Sequence, residues 1–488
     1  MPSNIADDQI VRSKSASYCH QGRDICAKFI TQRPGGQRET LVLSLNMPII
    51  IGRGRQCSYV IKDPTVSTIH CKIYAVPSST GEMLISCQDV STNGILLNGH
   101  KIRKSSVFLL EGDVFEIPAS QSFTCHILKV PLRPKAHLFD PTPPVKPAHK
   151  VALIPFLDFL TSLAQVVGKY KIQSHCLGTG SFASVFLAID SENYRQVACK
   201  TLNIRPHPKQ SAPEAEKKKV LKEANLLKSL CHPNINKVLE VAYEDSWIHI
   251  FLDLATGGDL FTYITTGGHK DFRLLEGEAK WITYQLMKGL DYLHDLNVSH
   301  RGAILVQPEN VLLCAPGPYP RVIIADFGLA RQKAWQATFN AVGTVPYMSP
   351  EAILALANPK SKYVGMPADC WSLGCCVYTM LAGAHPFDHD ETSMDPQADW
   401  AYSHPDLSQV SVTSDNIVKA RIMKGNMDFT TKIWNTLPDA RELTQALLIS
   451  DCDKRMTIKG SLKSKWITID VEELEKWYKT RVAADCDG

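Results

Sequence analysis

The chain has 488 residues, 44% of them hydrophobic and 21% charged, with a formal net charge of +4. That length exceeds what one hydrophobic core organises and predicts two domains or more, and the composition excludes a largely disordered or fibrous chain. A charge this small and interspersed implies no direct nucleic-acid ligand, and 15 scattered cysteines point to free thiols in a reducing compartment, not to a disulfide framework or a zinc site.

The first twenty residues are polar and lack the apolar core of a secretion signal. From 25 to 130 short β-branched and apolar runs, such as 41–45, 49–51 and 69–76, alternate with Gly, Pro, Ser and Asn turns, which predicts an all-β sandwich. Three clusters fall at its strand ends and turns: Gly52-Arg53, Ser67-Thr68-Ile69-His70, and Ser91-Thr92-Asn93-Gly94 followed by Asn98-Gly99. An Arg fork with Ser and Thr hydroxyls and an Asn amide can surround a phosphate and grip a peptide backbone, although each cluster alone is ordinary turn chemistry. In this order and spacing, with the run Asp89-Val90-Ser91-Thr92-Asn93-Gly94, they resemble the forkhead-associated (FHA) family over residues 28–130. The resemblance implies phosphothreonine-peptide binding, with Arg53 and Ser67 on the phosphate, Thr68, Thr92 and Asn93 on phosphate or peptide backbone, and His70 structural.

Residues 131–149 carry Pro131, Pro134, Pro141, Pro143, Pro144 and Pro147 and form an extended linker without a core. The apolar run 151–167 is too short and too interrupted, by Pro155 and Asp158, to span a membrane, so no membrane partner is expected. Leu157, Leu160, Ala164 and Val167 recur there at helical spacing and predict a short amphipathic helix docked on a domain.

After Tyr170 come strands to about Leu202, a charged helix-like run over 214–230, two further strand runs, and helical periodicity from Leu260 onward. In the run Leu177-Gly178-Thr179-Gly180-Ser181-Phe182-Ala183-Ser184-Val185, glycines let backbone amides approach phosphates. Val197-Ala198-Cys199-Lys200 delivers one lysine from an apolar strand, and Glu223 on the charged run is able to pair with it. Asp326-Phe327-Gly328 offers a carboxylate to a metal on nucleotide phosphates, and Pro308-Glu309-Asn310 an Asn for a second metal contact, so magnesium is implied.

With Ser349-Pro350-Glu351, Asp369-Cys370-Trp371-Ser372-Leu373-Gly374 and Asp453-Lys454-Arg455 following in order, residues 170–467 resemble eukaryotic protein kinases. The fold class expected is therefore multidomain: an all-β FHA sandwich followed by a two-lobed α+β protein kinase fold. The resemblance implies ATP with Mg as cofactors, Lys200, Glu223, Asn310 and Asp326 as catalytic residues, and Asn310 and Asp326 as metal ligands. It places Leu177, Gly178, Gly180, Val185, Ala198, Lys200, Asp253 and Ala255 around the nucleotide, with adenine on 252–255, and pairs Glu351 with Arg455 while Asp369 braces the catalytic loop. Thr338 is the natural activation-loop phosphorylation site, and Thr344 shapes the substrate pocket. The run Leu254-Ala255-Thr256-Gly257-Gly258-Asp259-Leu260-Phe261 resembles the calmodulin-dependent and checkpoint branch, with Asp259 and Glu309 as candidates to meet basic residues upstream of the target Ser or Thr. An FHA domain ahead of such a kinase resembles the fungal checkpoint kinases of the DNA-damage and meiotic recombination response. That implies nuclear localisation, otherwise cytoplasmic, with phosphothreonine proteins as partners and room for dimerisation on activation.

One stretch departs from the family. Where its catalytic loop has His-Arg-Asp, a Lys and then Pro-Glu-Asn, this chain has His300-Arg301-Gly302-Ala303-Ile304-Leu305-Val306-Gln307-Pro308-Glu309-Asn310. The base Asp and the phosphate-stabilising Lys are both lost, which removes most turnover from a chain that keeps this loop. Two readings stand: a pseudokinase that serves as a phosphothreonine-dependent scaffold, or an intact kinase whose sequence was mis-joined here. The second is favoured, because other catalytic elements are present and the apolar run 303–306 is foreign to a solvent-facing loop.

Overall fold

The computed structural model describes residues 25–33, 36–78, 80–128, 165–179, 183–203, 228–244, 247–266, 269–296, 298, 307–325, 345–357, 365–387 and 414–483. Its first part holds strands β1 (Ile25–Gln32), β2 (Arg38–Ser44), β3 (Ile49–Gly52), β4 (Tyr59–Val60), β5 (Cys71–Pro77), β6 (Met83–Asp89), β7 (Ile95–Leu97), β8 (His100–Ile102), β9 (Ser106–Leu109), β10 (Val114–Ile117) and β11 (Gln121–Ile127). They form two sheets, ordered β2-β1-β11-β10-β7-β8 and β4-β3-β5-β6-β9.

Alternating residues make the core between them, as period-two patterning requires. Phe29, Leu41, Leu43, Phe115, Phe123 and Cys125 from the first sheet meet Ile51, Ile73, Ile85, Cys87, Val107 and Leu109 from the second. Phe115 stacks on Phe123 at 4.7 Å between ring centroids and meets Phe29 edge-on at 5.8 Å. The β7–β8 hairpin turns on Asn98 (φ 49°) and Gly99 (φ 84°), a two-residue loop with both residues left-handed, which is why Asn-Gly stands there.

The second part opens with an antiparallel sheet of β12 (Val166–Val167), β13 (Tyr170–Thr179), β14 (Ala183–Asp190), β15 (Arg195–Asn203), β16 (Val238–Glu244) and β17 (Trp247–Leu252), in the order β12-β13-β14-β15-β17-β16. The amphipathic helix expected to end at Val167 is not realised there. Val166 and Val167 pair with Lys171 and Tyr170 as a strand, because two β-branched residues beside a free sheet edge gain more from the ladder; Leu157, Leu160 and Ala164 lie outside the described residues. Of the charged run 214–230, residues 228–229 are described as helical.

The remainder is mainly helical: α1 (Leu260–Thr266), α2 (Glu276–Asp295), the two-stranded β18 (Val311–Leu313) and β19 (Val322–Ile324), then α3 (Pro350–Ala357), α4 (Gly365–Ala382), α5 (Ser414–Lys424), α6 (Pro438–Leu447) and α7 (Val471–Arg481). Helix α2 starts with Glu276 and Glu278, which complement its positive N-terminal dipole, and buries Ala279, Ile282, Leu286, Leu290 and Leu293 at three- and four-residue spacing. Helix α4 is apolar nearly all round because it divides two cores. Cys370, Leu373, Val377 and Met380 face α2, while Trp371 and Cys375 face Tyr347, Ile353 and Phe387. Leu474 and Tyr478 of α7 belong to the larger core, so packing continues past residue 467. No described helix is long and apolar enough to cross a membrane.

Candidate functional sites

On the sandwich, the segments after β3 and after β6 are drawn together at one rim. The Arg53 amide donates to Ser67 O at 2.9 Å and the Gly54 amide to Thr68 O at 2.9 Å, so the chain folds back on itself before β5. Gly52 permits this approach, since a β-carbon there would lie 2.5 Å from Thr68 O. Arg53 Nε donates to Val66 O at 3.1 Å, which leaves the terminal guanidinium nitrogens as its outward donors.

The second segment is tied to the first at three points. The Thr92 amide donates to Ser67 Oγ at 3.2 Å, Asn93 Nδ2 donates to Thr65 O at 2.8 Å, and buried His70 bridges both. Its Nδ1 accepts from the Ser67 amide at 3.2 Å, which makes Nε2 the protonated nitrogen, 3.1 Å from Gly94 O. Below, Asp89 Oδ1 accepts from Ser91 Oγ at 2.7 Å, and Ser91 Oγ accepts from the Gly94 amide at 2.7 Å. Gly94 has φ +82°, and a β-carbon there would meet Ile102 O at 2.5 Å. Asp63 turns the chain toward Thr65, and the Thr65 hydroxyl, then its amide, hold the Asp63 carboxyl below its ordinary range.

Arg53, Ser67, Thr68, Thr92 and Asn93 therefore share one rim, where Arg53, Thr68, Thr92 and Asn93 are exposed and Ser67 half-buried. A fork of N–H donors beside hydroxyls is suited to a dianionic phosphate. The Asp63 turn and the Asp89–Ser91–Gly94 relay were missed from sequence; the signal for them was Asp followed two residues later by Thr or Ser, the Asx-turn pattern.

In the second part, Lys200 on β15 stands opposite Val185 of β14 and Ile250 of β17. Ala198, Lys200 and Val185 share the sheet face that carries Leu202, Ile248 and Ile250, opposite to that of Phe186, Val197 and Cys199. Gly178 pairs with Val185, bringing Leu177 and Gly178 beside that face. Asp253 gives its carboxylate to Arg195 and its amide to Lys237 O at 3.1 Å, leaving its carbonyl as the group a ligand could use. Ala255 follows, and Gly257 N donates to Leu313 O at 2.9 Å while Leu313 N donates to Gly258 O at 2.9 Å, so this connecting segment is stitched to β18.

At the start of β18, the Asn310 amide donates to Gln307 O and Asn310 O accepts from the Ala325 amide, both at 2.8 Å. Asn310 is thereby held beside the residue preceding Asp326. Gly180, Glu223, residues 300–306, Asp326, Thr338 and Thr344 lie outside the described residues, so the expected Lys200–Glu223 pair and Asp326 site carry no geometry here.

Arg455 makes the expected pair with Glu351, in two-point form. Asp369 Oδ2 lies 2.9 Å from His294 Nε2 at the end of α2. Asp259 departs from its expected role in meeting substrate. It is buried, and its carboxylate accepts from the Thr262 amide and the Thr262 hydroxyl, both at 2.7 Å, as the cap of α1. Glu309 is exposed.

A family model described as "Protein kinase domain" matches residues 171–467, and one described as "FHA domain" matches residues 49–118. The meiosis-specific serine/threonine-protein kinase MEK1 of Saccharomyces cerevisiae is 28% identical over 471 residues, covering 92% of this chain and 86% of that protein. The meiosis-specific serine/threonine-protein kinase mek1 of Schizosaccharomyces pombe is 27% identical over 471 residues, covering 94% and 90%. The probable serine/threonine-protein kinase fhkC of Dictyostelium discoideum is 30% identical over 439 residues, covering 88% of this chain and 63% of that protein.

Proposed function

Because the chain belongs to the protein kinase family and carries an FHA domain ahead of its kinase domain, we propose that it is an ATP- and magnesium-dependent Ser/Thr kinase of checkpoint type, recruited through phosphothreonine. Its setting is the DNA-damage or meiotic recombination response, with a nuclear location; the meiotic relatives named above support this. The domain bounds proposed are 28–130 for the reader, 131–149 for the linker and 170–467 for the kinase, with β1 carrying the reader's first strand back to Ile25 and α7 carrying the kinase core on to Arg481.

The observation that carries the recruitment is the tie of Thr92 and Asn93 to the Ser67 and Thr65 loop, which gathers five phosphate- and peptide-binding groups at one rim. In the kinase, Lys200 pairs the α- and β-phosphates from the face it shares with Ala198 and Val185, and 253–255 offers main-chain groups to adenine. The Asn310 carboxamide is the hard oxygen donor that magnesium takes, and with Asp326 it would hold the ion that neutralises phosphate charge. Phosphorylation of Thr338 activates the enzyme, Thr344 shapes the pocket, and substrates carry basic residues upstream of the target hydroxyl.

The base that would take the hydroxyl proton is absent at Gly302, and Gln307, in place of the charged Lys, is buried at 6% exposure. These two positions are what favours the alternative, a phosphothreonine-guided pseudokinase, over the intact kinase. Sequencing the transcript across residues 300–310 and assaying the encoded protein on a basic peptide decides the matter. Restored His-Arg-Asp with ATP-dependent phosphorylation is expected; retained 302–307 without turnover gives the pseudokinase. Unmodified Thr338 in activated protein, by mass spectrometry, removes that site.

A further inference from the structure

The outer face of the second sandwich sheet is not built for water. Val76, Ser86 and Phe108 alternate away from the inter-sheet core formed by Ile73, Ala75, Ile85, Cys87, Val107 and Leu109, yet they are only 5%, 0% and 3% exposed. Another part of the chain covers them, and the contacts name it. Gln196 of β15 offers both ends of its side-chain amide to Phe108: Nε2 donates to Phe108 O and Oε1 accepts from the Phe108 amide, each at 2.8 Å. Tyr194 stacks on His100 with 4.0 Å between centroids and 11° between planes. Farther along, a β-carbon at Gly258 would lie 3.2 Å from Val76 Cγ1, and one at Gly317 3.2 Å from the Tyr74 hydroxyl.

These contacts fall on both sides of the 252–255 segment. Tyr194 and Gln196 belong to the strand-rich lobe before it, Gly258 and Gly317 to the helical lobe after it. Arg195, between the two docked residues, is itself paired with Asp253 inside the segment. We propose that the FHA sheet face is an intramolecular clamp that spans the two kinase lobes and sets the conformation of the 252–255 connection. The phosphothreonine rim lies on other loops and stays exposed, so the chain docks its reader and keeps it readable at once. The nucleotide consequence rests on the proposed adenine site at 252–255: releasing the clamp frees the lobes to rotate and shifts nucleotide affinity, whereas the docking itself is independent of that reading.

The test uses the full chain with Phe108→Glu, which places a charge in the dry face, and separately the double variant Tyr194→Ala, Gln196→Ala on the kinase side. Hydrogen exchange is read over 192–198 and 253–260, nucleotide binding with a fluorescent ATP analogue, and reader integrity with a phosphothreonine peptide. Expected are exchange at least about tenfold faster over both segments in both variants, nucleotide affinity changed by about fivefold or more, and unchanged phosphopeptide affinity. Unchanged exchange over 253–260 in both variants overturns the clamp. So does faster exchange with unchanged nucleotide affinity, since the connection then moves without consequence for the lobes. If the unmodified chain binds no nucleotide, the adenine-site reading fails by itself, and the exchange data still decide the docking.

Discussion

Arg455 and Glu351 meet at two points, Nη1 2.7 Å from Oε1 and Nη2 2.9 Å from Oε2, and the Arg455 side chain is wholly removed from solvent. Its remaining donors reach Ile449 O at 2.8 Å, Pro367 O at 2.7 Å and Ser450 O at 3.2 Å, so one guanidinium joins α3, the start of α4 and the turn after α6. Arg455→Ala leaves Glu351 and three carbonyls without it and costs about 3–5 kcal/mol. Arg455→Lys recovers little, because an ammonium cannot reproduce the planar fork. Thermal unfolding of the three proteins checks the order.

At the reader rim, Arg53→Ala is expected to abolish measurable phosphothreonine-peptide binding while nucleotide binding persists. Asn93→Ala loses the tie to Thr65 O and weakens binding by about tenfold, the upper end of what one neutral hydrogen bond contributes. Calorimetric titration with matched phosphorylated and unphosphorylated peptides reads both. Unchanged affinity in Arg53→Ala removes the reader assignment.

Asp259 and Glu309 separate by experiment. Since Asp259 caps α1 through Thr262, Asp259→Ala is expected to cost about 1 kcal/mol of stability and to leave substrate preference unaltered. Glu309→Gln, at an exposed position, lowers the preference for peptides with upstream Arg. Melting curves and paired-peptide kinetics on the transcript-verified protein distinguish the two, and the opposite pattern restores Asp259 as the specificity residue.

Burial pushes the His385 imidazole down to about 3. The unfolded chain takes up that proton near pH 6.5 and the folded one does not, so His385 favours the fold above pH 6.5 and its contribution falls as pH drops toward 3. The slope is about 1.4 kcal/mol per pH unit for this one group. Denaturant titrations between pH 7 and 4 should show a shallower decline in His385→Asn than in the parent.

The two-part architecture and the rim residues were legible because they are local. Strand alternation, turn chemistry and the order of short motifs carry them, and Gly52, Ser67 and Asn93 keep sequence neighbours that announce a turn. Asp259 was misread for the opposite reason. An acidic residue beside two glycines has the same signature whether it caps the next helix or faces a ligand, and only the backbone amide of Thr262 decides. The strand at Val166–Val167 was missed because a two-residue pairing leaves no period to detect. The docking of the two parts was overlooked, although Val107-Phe108-Leu109-Leu110 is apolar without alternation, the pattern of a strand covered on both faces.

That covered face has a practical side. Strand β9 is the last in its sheet, and Gln196 occupies the main-chain groups of Phe108 that would otherwise be open at the edge. Cut away from the kinase, the sandwich presents a bare β-edge beside Phe108 and Val76, the combination that recruits another chain into sheet extension. Produced as a separate module, the reader will self-associate as its concentration rises, and the kinase lobe acts as its solubility partner.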